Sequence, residues 1–268
     1  MVLLRFQNTA LLKHYLSSSL HVALALWAFC RVLALQQGIS ISVSMQCALF
    51  AFGWAAYQYA HNFVPVLYKR QAVSVGNIAL FVVALALGFW GLMAQPLHVW
   101  WVFFGISILT FCYALPFGAH MGLRFVPTLK VFVVALSWTT MALLPLILLP
   151  KQVFVWVAVK SVLWILCLML PFELRDVHKD APSLKTIPQL LGISGTKTLG
   201  YVLLCGLAFL AYQTVQVPAL FWVEIGMLLL LGLAIKASPK HSETFTAFWV
   251  EGIPILWFLG SVVTNVFC

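Results

Sequence analysis

Apolar stretches of roughly 20 residues, separated by short polar breaks, follow one another along the whole chain. A helix of about 20 residues is needed to cross the ~30 Å hydrocarbon layer of a bilayer. Of the 268 residues, 63% are hydrophobic and 8% are charged, and the mean hydropathy is +1.05. Soluble domains do not have such a composition. Because the alternating strands of a membrane β-barrel are not seen either, we predict an all-α polytopic membrane protein.

Short polar breaks that contain proline, such as Gln95-Pro96 and Val217-Pro218, join pairs of consecutive apolar stretches. Longer polar loops follow the second, fourth, sixth and eighth stretches. We expect residues 1–268 to form a single integral membrane domain. The nine predicted transmembrane helices span residues 16–36, 41–63, 74–94, 97–115, 128–149, 152–172, 197–215, 218–236 and 244–266.

The basic residues predict the orientation of these helices. With nine spans, the N-terminus and the four longer loops lie on one side, and that side carries all of the fifteen Lys and Arg residues except Arg31, Lys151 and Lys160. By the positive-inside rule this side is cytoplasmic. The formal charge of +9 does not indicate nucleic-acid binding, because the basic residues are scattered between apolar stretches and no aromatic residues are interleaved with them.

Half of the six acidic residues, Glu173, Asp176 and Asp180, lie within eight positions at the end of the sixth predicted helix. If the helix continues through them, the spacing i, i+3 and i+7 places all three carboxylates on one face. A membrane protein with so few acidic residues, grouped in this way, is predicted to bind a cation there. The alternative is a solvated helix end at which Arg175 and Lys179 neutralise the acids.

A second polar segment, residues 57–62, ends the second predicted helix, much as residues 173–180 end the sixth. Both helices run toward the cytoplasm in the predicted topology. We therefore expect the two polar ends on opposite walls of a central cavity that opens to the cytoplasm.

The stretch Glu173-Leu-Arg-Asp176-Val-His-Lys-Asp180, followed by Lys185-Thr-Ile-Pro188, resembles the second aspartate motif of the UbiA superfamily of intramembrane prenyltransferases. Members of that family read D-x-x-D-x-x-x-D and then T-L-P-x-x-x-G, so the first position here is Glu instead of Asp. The family's Tyr-x-x-Pro and the basic segment after it are also matched. These upstream matches are Tyr113, Pro116, Arg124 and Lys130.

This resemblance implies transfer of an isoprenyl group from its diphosphate to a lipophilic acceptor within the membrane, and we expect that acceptor to be aromatic. The reaction needs Mg2+ held by carboxylates and cationic donors that stabilise the departing diphosphate. Implied metal ligands are Glu173, Asp176 and Asp180, and implied catalytic residues are Asp176, Asp180 and Lys130. Implied substrate-binding residues are Gln58, His61, Asn62, Tyr113, Arg124 and Lys185.

This sequence departs from the family pattern at the first aspartate motif. Relatives carry N-D-x-x-D-x-x-x-D, whereas the matching register here gives Gln58, Tyr59, Asn62 and Val66, with no carboxylate. Two amides cannot neutralise a magnesium ion, although Asn62 can hydrogen-bond to a hydrated cation or a phosphate. The alternative function is therefore a catalytically lapsed relative that binds an isoprenoid or quinone-like lipid, or that partners another membrane enzyme. A transporter has less support, since no matching pair of interrupted short helices is visible.

Ionisable residues within the predicted spans need partners. Lys160 is expected to form an ion pair with Glu224, which enters its helix to a similar depth from the same side. Glu251 either lines the cavity or bonds to a neighbouring helix. We expect His178 to be exposed. We interpret the six cysteines, which form no C-x-x-C motif, as small apolar residues.

Overall fold

The computed structural model describes residues 10–64, 73–115, 122–123, 126, 128–147, 149–238 and 242–267, and every regular element within these ranges is helical. The predicted all-α fold is thereby confirmed, and each of the nine predicted spans contains a helix. The ten helices of eight or more residues are α1 Ala10–Ser17, α2 Leu20–Gln36, α3 Val43–Gln58, α4 Val75–Met93, α5 Leu97–Ala114, α6 Leu129–Leu143, α7 Lys151–Asp176, α8 Ile187–Thr214, α9 Pro218–Ala237 and α10 Ile253–Phe267.

Seven helical segments in the described ranges are long and apolar enough to cross a membrane. They are α4, α5, α6 with its short 3-10 extension Leu144–Leu146, α7, α8, α9 and the segment Glu243–Asn265. Helix α2 is apolar but has only 17 residues. The protein is therefore a helical integral membrane protein, and the count of nine crossings stays a prediction.

The predicted span 16–36 is interrupted at Ser18 and Ser19, which separate α1 from α2. Ser19 has a left-handed backbone conformation, with φ of 59°, and this turns the chain. The carbonyl group of Ser18 accepts hydrogen bonds from two α3 side chains, the indole of Trp54 at 2.8 Å and the amide of Gln58. The break therefore costs little free energy, because the Ser18 carbonyl oxygen, which has lost its place in a continuous helix, is hydrogen-bonded inside the bundle.

Helix α8 begins at Ile187, ten residues before the start that hydropathy predicts. The Gln189 side chain accepts the backbone N–H of Thr186 at 3.0 Å, which caps the start of the helix, and Pro188 occupies the first turn. These residues begin a helix even though they are not strongly apolar. Gly192, with φ of 70°, then bends the helix before it enters the apolar stretch, and this positive φ is readily adopted by glycine.

Helix α2 lies at the centre of the bundle and packs against α3, α6 and α10. Its Phe29 is fully buried and contacts the indole rings of Trp164 on α7 and Trp257 on α10. These two indoles stack with their ring centroids 4.9 Å apart. Such close packing is what holds helices together in a bilayer, where burial from water gives little driving force.

Candidate functional site

A cavity of about 490 Å³ lies between α2, α3, α5, α6 and α7, and the segment before α10 closes one side. This volume is in the range typical of small-molecule sites. Most of the wall is apolar, and residues such as Ile106, Val133, Met141 and Met169 contribute to it. The cavity is also lined by one histidine and four charged side chains at helix ends, which are His61, Lys130, Arg175, Asp176 and Glu251.

The two polar segments that the sequence predicts to face each other both contribute to this wall. Tyr57 and His61 come from the end of α3, and Arg175 and Asp176 come from the end of α7. Lys130, in the first turn of α6, lies on the same side of the bundle because α6 and α7 are antiparallel neighbours. The charged groups are therefore gathered at one end of an otherwise apolar cavity.

Helix α7 continues past residue 172 but ends at Asp176, so only Glu173 and Asp176 share a helical face. The prediction that Asp180 lies on this face is wrong. A turn over residues 177–179 follows, in which the carbonyl group of Asp176 accepts the backbone N–H of Lys179 at 2.8 Å and of Asp180 at 2.9 Å. His178 in this turn is exposed, as predicted.

Glu173 is paired with Lys130. The Lys130 Nζ lies 3.0 Å from the Glu173 Oε1, and the two side chains are 30% and 2% exposed, respectively. The carboxylate of Glu173 is thus buried and already neutralised. Lys130 keeps part of its surface on the cavity, where its ammonium group is available to an anion.

Asp176 is bound by its neighbour Arg175. The Arg175 Nε donates to the Asp176 Oδ1 at 2.8 Å, and the Arg175 Nη2 donates to the Asp176 Oδ2. The guanidinium group also donates to the hydroxyl of Thr246, in the segment before α10, and lies 5.4 Å from the centre of the Phe172 ring. The sequence alternative in which Arg175 neutralises an acid is therefore seen at Asp176. That Arg175 also lines the cavity was not expected from the sequence.

Asp180 differs from the other two acids. Its Oδ2 is buried and has no hydrogen-bond partner among the described residues. Its backbone carbonyl accepts the amide of Gln189 at 3.0 Å, and this fixes the turn against the start of α8. Lys185, predicted to contact substrate, is exposed and does not line the cavity.

A Mg2+ ion fits part of the predicted ligand set. The described residues contain no group of three or more His, Cys, Asp or Glu side chains that could hold a metal, and Lys130 already neutralises Glu173. Mg2+, however, is usually bound by one or two carboxylates together with substrate phosphates. Asp180 suits that arrangement because its buried Oδ2 lacks a partner among the described residues, although Asp180 does not line the cavity. Asp176 lines the cavity, but both of its carboxylate oxygens accept from Arg175, so it would bind a metal ion only after that pair opens.

The residues at the first-motif positions form a chain of amides. Gln58 is fully buried and donates to the carbonyl of Ser18, while Asn62 donates to the Gln58 Oε1. Asn77 on α4 in turn donates to the Asn62 Oδ1 at 3.1 Å. Gln58 and Asn62 do not line the cavity, and Val66 lies outside the described residues. Their role as substrate contacts stays a prediction.

Two further predicted site residues have different outcomes. Tyr113, near the end of α5, lines the cavity. Arg124 lies outside the described residues.

His61 also lines the cavity and its Nδ1 is 3.1 Å from the hydroxyl of Ser19. His61 lies in a π-helical turn, Tyr59–Phe63. A second π-helical turn, Thr246–Val250, directly precedes Glu251, another residue of the cavity wall. Turns of this kind are frequent at functional sites.

The predicted ion pair far from the cavity is confirmed. The Lys160 Nζ lies 3.2 Å from the Glu224 Oε2, and both side chains are completely buried. Gln36, which sequence reasoning missed, joins them: its Oε1 accepts from Lys160 at 2.9 Å, and its Nε2 donates to Glu224 at 2.8 Å. The interpretation of the cysteines also agrees with the structure, since Cys30, Cys47, Cys112, Cys167 and Cys205 are all free.

Fold and site together define a helical membrane protein with an apolar cavity and a charged end. No protein-family model matches the sequence, and no curated protein matches it significantly. Solved structures do match. A UbiA homolog from Aeropyrum pernix K1, in its apo form, is 17% identical, with a TM-score of 0.62 over 91% of this chain and 97% of that one.

A UbiA homolog from Archaeoglobus fulgidus is 14% identical, with a TM-score of 0.64 over 94% of this chain and 99% of that chain. The structure of an Archaeoglobus fulgidus homolog bound to GPP and Mg2+ matches at 13% identity, with the same TM-score and coverage. The protein described here therefore has the fold of the UbiA homologs, as the resemblance of its second aspartate motif predicts.

Proposed function

We propose that this protein is an intramembrane prenyltransferase of the UbiA superfamily, which transfers an isoprenyl group from its diphosphate to a lipophilic acceptor. The observation that carries the proposal is the shape and charge of the cavity, which is apolar along its length and charged at one end. An isoprenyl diphosphate has the same polarity, with a hydrocarbon chain and an anionic head. A UbiA homolog of the same fold, which binds GPP and Mg2+, adds support.

In this proposal nine helices cross the membrane and the charged end of the cavity opens to the cytoplasm. Lys130 and Arg175 face the cavity and bind the diphosphate head through charge-assisted hydrogen bonds. The apolar wall aligns the isoprenyl chain and excludes water from the reactive carbon. Lys130 and Arg175 also stabilise the charge that develops on the diphosphate as it departs.

Asp176 and Asp180 would hold a Mg2+ ion against the diphosphate. When bound, the ion supplies positive charge to the leaving oxygens. Glu173 has a different role, because its carboxylate forms an ion pair with Lys130 and so positions the Lys130 ammonium group. The first motif contributes no carboxylate and so holds no metal ion. The negative charge of the diphosphate is therefore compensated to a greater extent by Lys130, Arg175 and His61 than by the corresponding residues of a site with two aspartate motifs.

The alternative, a relative that binds an isoprenoid lipid without chemistry, is favoured by one specific observation. The amides of Gln58 and Asn62 bond to each other and to Ser18, so the first-motif positions are committed to packing. Diphosphate release separates the two functions. The assay uses purified protein in nanodiscs with geranyl diphosphate (GPP), Mg2+ and a membrane lipid extract that supplies the acceptor.

We expect diphosphate release from the wild-type protein and a loss of about 100-fold or more in Asp176→Asn, which keeps the size of the side chain but removes its charge. The matched control is Lys151→Met, at the opposite end of α7, which is expected to retain wild-type release. Binding of GPP without release by the wild-type protein would favour the lapsed relative.

A further inference from the structure

Glu251 is a carboxylate that the proposed function does not use, although it lines the same cavity. It follows the π-helical turn Thr246–Val250 and is partly buried. Among the described residues, no Lys, Arg or His side chain forms an ion pair with it, and Arg175, which lines the same cavity, pairs with Asp176 instead. A carboxylate in an apolar cavity is costly unless a partner compensates it. A ligand is one source of that partner.

The backbone around Glu251 is held firmly. The Nε2 of His21 donates to the carbonyl of Phe248 at 2.9 Å, and the two rings stack with their centroids 5.0 Å apart. Gly252 follows, and a Cβ at that position would lie only 2.6 Å from the Phe248 carbonyl oxygen. Glycine therefore allows the close packing that directs Glu251 to the cavity. The backbone that carries Glu251 is thus preorganised beside the cavity.

Tyr57, on α3, lines the same cavity and complements this carboxylate. Its hydroxyl oxygen accepts the indole N–H of Trp138 at 2.8 Å, so the phenolic proton stays available to a second partner. The cavity thus offers one strong hydrogen-bond acceptor and one donor, and a hydroxyl group can satisfy both.

We propose that Glu251 and Tyr57 bind the prenyl acceptor, that this acceptor is a lipophilic alcohol or phenol, and that Glu251 accepts its proton. This inference rests on the proposed transferase function. The acceptor's O–H group donates to Glu251, and its oxygen accepts from the Tyr57 hydroxyl. That oxygen forms the new bond to the first carbon of the isoprenyl chain. The bond from that carbon to the diphosphate oxygen breaks, and the diphosphate leaves with its electron pair, while the hydroxyl proton goes to Glu251.

The test compares two probes that differ only in the hydroxyl group, 2-naphthol and 2-methoxynaphthalene. Binding is measured as the difference between protein-loaded and empty nanodiscs, with GPP binding measured in parallel. The variants are Glu251→Gln, which has the same shape without the charge, and Tyr57→Phe. The matched control is Glu243→Gln, because Glu243 belongs to the same segment but is exposed and pairs with Lys179.

We expect the wild-type protein and Glu243→Gln to bind 2-naphthol about tenfold or more tightly than 2-methoxynaphthalene, since a hydrogen bond to a charged group is stronger than a neutral one. Glu251→Gln should lose this preference while keeping its GPP affinity within about twofold. With GPP present, transfer to 2-naphthol should fall about 100-fold in Glu251→Gln, as expected on removing a general base, whereas Glu243→Gln should keep the wild-type rate.

Equal affinity of the wild-type protein for the two probes would overturn the proposal, as would an unchanged rate of naphthol transfer in Glu251→Gln. A loss of GPP binding in Glu251→Gln would also overturn it, because Glu251 would then support the diphosphate end instead of the acceptor. Failure of the transferase function itself is distinguishable. In that case no variant, nor the wild-type protein, releases diphosphate from GPP, whatever the naphthol preference.

Discussion

Lys130 and Glu173 form an ion pair across the contact between α6 and α7, with 3.0 Å between the Lys130 Nζ and the Glu173 Oε1. Glu173 is almost completely buried, whereas Lys130 keeps a third of its side chain exposed and faces the cavity. In the proposed function, Glu173 therefore supports the Lys130 ammonium group instead of binding a metal ion.

The Lys130–Glu173 pair predicts that the contribution of Lys130 to protein stability can be separated from its contribution to GPP binding. Lys130→Met should lower stability by about 1–3 kcal/mol because it leaves the Glu173 carboxylate buried without a partner. It should also weaken GPP binding about tenfold or more. The double variant Lys130→Met/Glu173→Leu should recover the stability but not the GPP affinity. Thermal unfolding and GPP titration of each variant check this, and recovery of GPP affinity in the double variant would exclude a direct role for Lys130.

Thr246 is predicted to position Arg175, to which it is hydrogen-bonded. Thr246→Val removes the hydroxyl and retains the shape, so the guanidinium group should lose its orientation and the affinity for GPP should fall about fivefold. The measurement is the dissociation constant of GPP in nanodiscs. Thr264→Val is the matched control, because the Thr264 hydroxyl donates only to Gly260 within α10. An equal effect of the two substitutions would argue against the positioning role.

The buried group of Lys160, Glu224 and Gln36 is predicted to stabilise the bundle without taking part in binding. Lys160→Met alone leaves Glu224 charged and buried, and it should cost about 3–5 kcal/mol of stability. Lys160→Met/Glu224→Met removes both charges and should recover most of that loss. Thermal unfolding checks the stabilities. A change in GPP affinity of the stable double variant would show that this group communicates with the cavity.

The amide chain at the first-motif positions gives a further prediction. Asn62→Asp replaces the amide that donates to Gln58 by a carboxylate, which can only accept. The loss should destabilise the protein by about 1–2 kcal/mol. Melting temperatures with and without Mg2+ test whether the new carboxylate restores a metal site. A rise with Mg2+ that the wild-type protein does not show would mean that the position still faces a cation.

Hydropathy and motif spacing predict the helices and much of the cavity, and the exceptions have physical causes. Ser18 and Ser19 interrupt an apolar stretch because α3 side chains satisfy the freed carbonyl, which depends on tertiary contacts. The sequence offers Arg175 as a partner of the acids, but its hydrogen bond to Thr246 and its place on the cavity depend on tertiary contacts that spacing does not indicate. Lys160 and Glu224 could be paired from the sequence because a buried charge in a membrane requires a partner, and few opposite charges were available.

The central claim is that the charged end of the cavity binds an isoprenyl diphosphate head. The most direct measurement compares the binding of GPP and of geraniol, which has the same chain without the diphosphate, to the protein in nanodiscs with Mg2+ present. The account predicts that GPP binds about 100-fold or more tightly than geraniol, and that Arg175→Met and Lys130→Met reduce this difference while Lys151→Met does not. Equal binding of GPP and geraniol, or a preference that survives both substitutions, would contradict it.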